Sequence, residues 1–208
     1  TSKPTALFSN TQIENPNLML EGMPNYRSGV DGLRVSNSTK GGITFAASTT
    51  QNGIHMITVV LGVEAVDGDP YARFVATSSL MNYVVRTFVS SIVVKEGDPY
   101  GKSKATIMDG KSETVLAVAK KDFYIVEKQG SQAEPKIQFK SNQESFRAPV
   151  KSGTNLGKLH YTDPDKIGRG YLEDQEPTVD MVSGRTIEKS FFLKVWWNEF
   201  VRYVNEKL

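Results

Sequence analysis

A two-residue Asn-Gly turn between two apolar runs narrows most strongly the folds that this chain can adopt. Asn52-Gly53 follows an alternating run at residues 43–48 and precedes a run at 54–61 that is rich in β-branched residues. Asn-Gly pairs favour the left-handed backbone of tight hairpin turns, so they join neighbouring antiparallel strands. A shorter apolar run at 30–35 precedes both. Residues 30–62 therefore predict three neighbouring antiparallel strands.

The spacing of apolar residues changes three times after this predicted sheet. Asp69-Pro70 marks the start of a helix, because proline suits the first helical turn, and apolar residues recur at helical spacing from there to Phe88. After residue 92 the period falls to about two, with turn signals such as Asp109-Gly110, which is typical of a β-sandwich or a small barrel. Helical spacing returns at residues 186–208.

These changes predict a mixed α+β chain in three parts. The first part holds antiparallel strands covered by one helix, the second is a β-sandwich, and the third is an amphipathic helix. The predicted boundaries are 1–92, 93–187 and 188–208. The chain is long enough to bury an apolar core without disulfide or metal support.

Composition excludes several classes of protein. Lys plus Arg number 25 against 23 for Asp plus Glu, and a net charge of +2 argues against a nucleic-acid binder steered by bulk charge. There is no Cys, so no thiol nucleophile or thiolate metal site exists, and with two His residues we predict no metal site and no cofactor. Residues 1–5 lack a signal-peptide pattern, and no apolar run is long enough to span a bilayer. The chain is therefore expected to be either cytoplasmic or a piece of a longer exported protein.

The residues alone supply no complete catalytic set. No Ser has a Lys three positions later, and neither a Ser-x-Asn nor a Gly-x-Ser-x-Gly motif occurs. His55 lies within an apolar run and His160 stands alone, so we interpret both as structural or surface residues.

Three groups of segments, in order along the chain, carry a family resemblance. The first group surrounds a Val-Asp-Gly-Leu motif, the second lies in the predicted β-sandwich, and the third ends the chain: Asn17–Gly22, Gly29–Ser36 and Ile57–Gly62; Ala148–Gly153 and Leu156–Leu159; Lys189–Trp197. Together they resemble the serine-type D-alanyl-D-alanine carboxypeptidases, the low-molecular-mass penicillin-binding proteins, and the last segment is most similar to streptococcal members. The resemblance implies the C-terminal part of a transpeptidase-like domain followed by a β-sandwich domain.

The resemblance also implies a substrate-site strand with an altered motif. The family pattern continues Val-Asp-Gly-Leu with Lys-Thr-Gly, whereas this chain has Arg34, Val35 and Ser36 at those positions. Arg34 has a planar guanidinium group in place of the compact ammonium group of lysine. Val35 lacks the hydroxyl of threonine, and Ser36 adds a side chain where glycine has none. The next residue, Asn37, would supply a backbone N–H to the oxyanion hole.

The family's Ser-x-x-Lys nucleophile and Ser-x-Asn motif lie upstream of this strand, so the chain resembles a C-terminal half that lacks its nucleophile. The implied function is cleavage of the terminal D-alanine from peptidoglycan stem peptides, together with a missing N-terminal half of the catalytic domain. This chain alone is predicted to be inactive. The alternative, favoured by the altered motif, is a non-catalytic membrane-associated module that interacts with the cell wall.

The last helix allows two interpretations. Aromatic residues crowd its apolar half, namely Phe192, Trp196, Trp197, Phe200 and Tyr203. An apolar half normally packs on a core or against a second copy, whereas this composition is typical of a helix that lies on a membrane surface. The resemblance implies the membrane interpretation and a peripheral location on the extracellular face of the bacterial cytoplasmic membrane.

Overall fold

The structure is a computed structural model that describes residues 3–9, 11–38, 42–64, 68–132, 134–168, 170–171 and 175–207. The chain is mostly β-structure, with two helices in the described part. It divides into two compact units. Unit 1 comprises residues 1–90 and 126–130, and unit 2 comprises residues 91–125 and 131–208.

The sheet of unit 1 has three strands in the order β3–β4–β5, namely Val30–Ser38, Gly42–Gln51 and Ile54–Val63. Both pairings are antiparallel, so the predicted three-stranded arrangement is confirmed. The predicted hairpin is also present, because Gln51 pairs with Ile54 around Asn52-Gly53. Asn52 has a φ of 51° and Gly53 one of 75°, the left-handed backbone that this turn requires.

Helix α1, Ala72–Thr87, covers one face of this sheet. It starts two residues after Pro70, and its buried side includes Phe74, Thr77 and Met81, as helical spacing predicts. The ring of Phe74 meets that of Phe45 edge-on, with 5.1 Å between centroids. The buried apolar core of unit 1 gathers residues from an upstream loop, all three strands and α1: Met19, Val30, Phe45, Ala47, Ile54, Met56, Val60, Phe74 and Met81.

A short hairpin near the N-terminus was not predicted. β1, Thr5–Phe8, pairs antiparallel with β2, Thr11–Glu14, where the sequence indicated mostly loop. Each strand has only four residues, and β2 is exposed along its whole length, so neither leaves a clear apolar alternation in the sequence.

Unit 2 is built around a six-stranded sheet in the order β10–β12–β13–β8–β7–β11. In chain order, the strands are β7 Pro99–Met108, β8 Thr114–Ala119, β10 Lys136–Ser141, β11 Phe146–Arg147, β12 Asn155–Thr162 and β13 Thr178–Ser183. Only β11 runs parallel to its neighbour among these described pairs. A two-stranded ribbon is formed by β6, Phe88–Val94, and β9, Phe123–Lys128, whose residues are divided between the two units.

The core of unit 2 has the layered character of a sandwich. Val94, Phe123 and Ile125 from the ribbon are buried in one cluster with Ala117 and Met181 of the large sheet. Two layers of β-structure thus share one apolar interior, which is compatible with the predicted β-sandwich. Gly157 on β12 is needed for close strand pairing, because a Cβ there would lie 2.1 Å from the carbonyl oxygen of Lys140.

Helix α2, Phe192–Lys207, begins later than the sequence predicts. Ile187 bridges Val150, and Lys189 bridges Gly110, so the segment before the helix is held to the β-structure of unit 2. An ion pair between Lys111 and Glu188 links the same two segments. Backbone pairing therefore displaces the start of the helix from the predicted region at 186–188 to Phe192.

Candidate functional site

Strand β3 places the three residues of the altered motif and the following Asn37 on alternating faces of the unit 1 sheet. Across to β4, Arg34 pairs with Ala46, Val35 with Phe45, Ser36 with Thr44, and Asn37 with Ile43. Side chains alternate along a strand, so Arg34 and Ser36 share one face while Val35 and Asn37 share the other.

The face that bears Arg34 and Ser36 is the one turned away from α1. Val35 is half-buried and packs against the core cluster that contains Phe45 and Phe74 of α1. Arg34 and Ser36 are exposed. The arrangement therefore presents a guanidinium and a hydroxyl on the uncovered face of an edge strand.

A buried arginine, which sequence reasoning missed, anchors the end of this strand. Arg73 lies in the first turn of α1 with 6% of its surface exposed. Its Nη1 donates to the carbonyl oxygens of Ser36 and Thr44, at 3.2 Å each, and its Nη2 donates to Oδ1 of Asn37. Burial lowers the pKa of Arg73, because desolvation disfavours the charged form. The guanidinium group therefore fixes the last part of the altered motif to α1.

The helical spacing of the sequence could have indicated that Arg73 is buried. It lies four residues before Thr77 and eight before Met81, both of which are buried, so it occupies the same side of the helix. A cation at such a position needs oxygen acceptors inside the fold. The sequence does not reveal that the acceptors are on β3 and β4.

The start of β3 is held by a second buried polar group. Asn17 has 1% of its surface exposed, and its Nδ2 donates to the carbonyl oxygen of Gly32 at 3.3 Å. Its Oδ1 accepts the backbone N–H of Met19 at 3.0 Å. The hydroxyl of Ser48 donates to the carboxylate of Asp31 on the neighbouring strand. The Val-Asp-Gly-Leu segment is thus fixed to both the upstream loop and β4.

The uncovered face of the sheet also carries a row of apolar side chains. On β5, Ile57, Val59 and Leu61 alternate with buried residues and are 62%, 55% and 74% exposed. Val59 pairs with Ala46, which in turn pairs with Arg34. The cation and the apolar row therefore share one face of unit 1, which in the described residues has no covering element.

The predicted membrane residues lie together on α2 and are exposed: Phe192, Trp196, Trp197, Phe200 and Tyr203. The ring of Phe200 lies 6.0 Å from that of Trp196 and 5.9 Å from that of Trp197. Neither helix in the described part of the chain is long and apolar enough to cross a membrane. The altered motif belongs to unit 1 and α2 to unit 2.

Comparison with known proteins places the second half of the chain. Residues 88–189 match the model of the penicillin-binding protein 5 C-terminal domain. This part of the chain belongs to that family. Its bounds include β6 to β13 and stop before α2.

Similar proteins extend the likeness beyond this domain. A peptidoglycan synthesis regulatory factor, PBP3, from Streptococcus pneumoniae is 43% identical, with a TM-score of 0.85 over 90% of this chain and 51% of that one. D-alanyl-D-alanine carboxypeptidase DacA of Haemophilus influenzae is 26% identical over 133 residues, which are 64% of this chain and 32% of the relative. Penicillin-binding protein 5 from Haemophilus influenzae has the same fold, at 21% identity and a TM-score of 0.60 over 90% of this chain and 50% of that one.

The resemblance seen in the sequence is therefore confirmed: the chain is homologous to the carboxypeptidase type of penicillin-binding protein. It spans about a third of the curated relative and about half of each of these two solved structures. The roles of Arg34, Val35, Ser36 and Asn37 in a substrate site stay predictions, as do the domain boundaries at 92 and 187.

Proposed function

We propose that this chain is the C-terminal portion of a D-alanyl-D-alanine carboxypeptidase that acts on peptidoglycan stem peptides. The observation that carries the proposal is the placement of Arg34 and Ser36 on the uncovered face of β3, directly after the anchored Val-Asp-Gly-Leu segment. This is the strand on which the family's Lys-Thr-Gly motif stands.

Arg34 supplies the positive charge of the site. A guanidinium group can donate two parallel hydrogen bonds to a carboxylate, so Arg34 binds the terminal carboxylate of the stem peptide. Val35 contributes packing against the core and no hydroxyl, and Ser36 narrows the approach of substrate backbone to the strand. Asn37 offers its backbone N–H to the developing oxyanion, while Arg73 holds its side chain on the α1 side.

The serine nucleophile and its lysine partner belong, in this proposal, to a further part of the protein that packs on the open face of unit 1. The exposed row of Ile57, Val59 and Leu61 supports this, since a contiguous apolar strip beside a cation is typical of a surface that is covered in the working protein. This chain covers about half of the PBP3 relative, so a further part of similar size is consistent with that relative's length.

The second component of the proposal is attachment to the membrane surface through α2. Its aromatic residues are exposed and cluster around Phe200, and Lys194 accompanies them on the same helix. Burial of these rings at the headgroup level contributes several kcal/mol, at roughly 25 cal/mol per Å² of apolar area. The protein would then lie peripherally on the extracellular face of the bacterial cytoplasmic membrane.

A second candidate function is a non-catalytic cell-wall module that has kept the fold. The observation that favours it is the motif itself, because Arg34, Val35 and Ser36 differ from Lys-Thr-Gly at every position. Both candidates share the stem-peptide strand and the membrane helix, and they differ in whether acylation occurs.

Labelled penicillin separates the candidates. The isolated 208-residue chain should form no covalent adduct by intact mass, because no Ser in it has the Lys partner that activates the nucleophile. The protein from the gene's complete reading frame should gain the mass of one penicillin. A stable adduct on the isolated chain would contradict the assignment of the nucleophile to another part of the protein. Absence of an adduct on the complete protein would favour the non-catalytic module.

A further inference from the structure

The outer face of the large sheet in unit 2 carries an open groove of about 700 Å³, a volume typical of ligand sites. The lining comes from the loop before β7, from β7 and β8, and from the turn after β13, and it includes Pro99, Lys104, Leu116, Val118, Gly184 and Arg185. All of these residues belong to unit 2. None of them belongs to the altered motif or to the aromatic cluster of α2.

Its floor is apolar. Leu116 points away from the core, since its neighbours Val115 and Ala117 are buried, and it remains 44% exposed. Val118 lies two residues further along the same face. Gly184 keeps this floor open, because a Cβ there would lie 3.1 Å from Cγ1 of Val118.

Two cations lie on opposite sides of Leu116. Lys104 is its direct partner on β7, and Gly184, which precedes Arg185, donates its N–H to the carbonyl oxygen of Leu116 from the other side at 3.2 Å. Arg185 also donates from Nη2 to the hydroxyl of Ser112 at 3.2 Å, which uses one of its five donors. In the described residues, no carboxylate lines the groove or lies within ion-pair distance of Lys104 or Arg185.

An interruption in the strand pairing shapes this end of the sheet. Pro99 pairs with Val118 and Lys104 with Leu116, so residues 100–103 of β7 stand against one residue of β8. Bulges of this kind bend a strand and redirect its side chains. Lys104 resumes the pairing directly after the irregularity, beside the apolar floor.

From this charge pattern we infer that the groove binds an extended acidic segment of a partner protein, with an apolar side chain between two carboxylates. The apolar side chain covers Leu116 and Val118, and the carboxylates pair with Lys104 and Arg185. The net charge of the chain is only +2, so the recognition is local to the groove and not a property of the whole surface.

Fluorescence anisotropy with two labelled peptides tests the inference on the full 208-residue chain. The first peptide carries Glu-Leu-Glu between Gly-Ser flanks, and the second carries Gln-Leu-Gln in the same flanks. The acidic peptide should bind at least about fivefold more tightly than its neutral counterpart, and its affinity should fall as salt rises from 50 to 500 mM.

Three variants locate the binding. Lys104→Gln and Arg185→Gln should each weaken binding of the acidic peptide at least about fivefold, and Leu116→Ser should do so without changing the salt dependence. Lys158→Gln is the matched control, because Lys158 is exposed on β12 and does not line the groove. It should leave the affinity within about twofold, and thermal midpoints verify that each variant is folded.

Three outcomes would overturn the inference: equal binding of both peptides, equal loss in the Lys158→Gln control, or an unchanged affinity in Leu116→Ser. A further arm adds inorganic polyphosphate as a competitor. Competition that is equally strong against the natural chain and the Leu116→Ser variant would identify a general polyanion surface and would also overturn it.

Discussion

Individual residues fix the geometry of the candidate site more firmly than its sequence motif suggests. Arg73 donates to the Ser36 carbonyl oxygen and the Asn37 amide oxygen near the end of β3 and to a carbonyl oxygen on β4, and Asn17 donates to a carbonyl oxygen near the start of β3. Both side chains are buried, where each hydrogen bond is costly to leave unmade. The altered motif therefore stands on a strand whose two ends are fixed by polar groups.

Replacement of Arg73 tests this anchoring. Arg73→Ala removes the side-chain donor to the carbonyl oxygen of Thr44 and one of the two side-chain donors to that of Ser36, which also accepts from the Thr44 hydroxyl. It should lower the free energy of unfolding of unit 1 by about 3 kcal/mol. Arg86→Ala, at an exposed position in the last turn of the same helix, should cost less than about 0.5 kcal/mol. Chemical denaturation measures both, and an equal effect of the two variants would contradict the anchoring role.

Part of the residue-scale picture could be predicted from the sequence. The Asn52-Gly53 turn and the buried side of α1 follow from local chemistry and spacing, and both are confirmed. The contact between Arg73 and Asn37 joins residues that lie 36 positions apart, and it depends on where α1 crosses the sheet. No local pattern encodes that crossing.

Among the helices and strands, the spacing of apolar residues predicted the type and order of the long elements. It did not predict the short N-terminal hairpin or the position at which α2 begins. The hairpin β1–β2 is too short for a clear alternation. Helix α2 begins at Phe192 because the preceding residues form bridges with Val150 and Gly110, which are distant in sequence. Helical spacing alone extends the helix too far toward the N-terminus, since it takes no account of pairing with other strands.

A double variant tests the role of α2. Changing Trp196→Ser and Trp197→Ser together should release the protein from anionic vesicles, because two exposed rings no longer enter the headgroup region. The thermal midpoint should stay nearly unchanged, since neither ring is buried in the fold. Vesicle co-sedimentation and a thermal melt measure the two quantities.

The matched control is Tyr83→Ser with Tyr124→Ser, which removes two exposed rings outside α2. It should leave vesicle binding intact. A Trp variant that melts many degrees lower and still binds vesicles would place α2 in the core and contradict the membrane interpretation.

At the scale of the whole molecule, the two units differ in how completely their sheets are covered. In the described residues of unit 1, only one face of the three-stranded sheet is covered, and both β3 and β5 are edge strands. Unit 2 buries a larger cluster between its two layers. Open edges and an uncovered apolar face reduce stability, so unit 1 should be the weaker of the two.

Limited proteolysis tests this difference. A nonspecific protease should cut within residues 1–92 first and leave a fragment close to 93–187. The reason is that local unfolding, which exposes the backbone to the protease, should be rarer in the better covered β-structure of unit 2. Mass spectrometry of the surviving fragments identifies the order. Survival of residues 1–92 after loss of the β-sandwich would show that the division of stability is wrong.

Release of D-alanine from a stem pentapeptide measures whether β3 lines a carboxypeptidase site. The protein from the complete reading frame is compared with its triple variant Arg34→Lys, Val35→Thr, Ser36→Gly, after thermal melts have verified that both are folded. We expect the triple variant to release one D-alanine per pentapeptide at least ~10-fold faster than the natural form, because it regains the compact ammonium, the hydroxyl and the open glycine position. No release by the folded triple variant, or a rate equal to that of the natural form, would show that β3 does not line such a site.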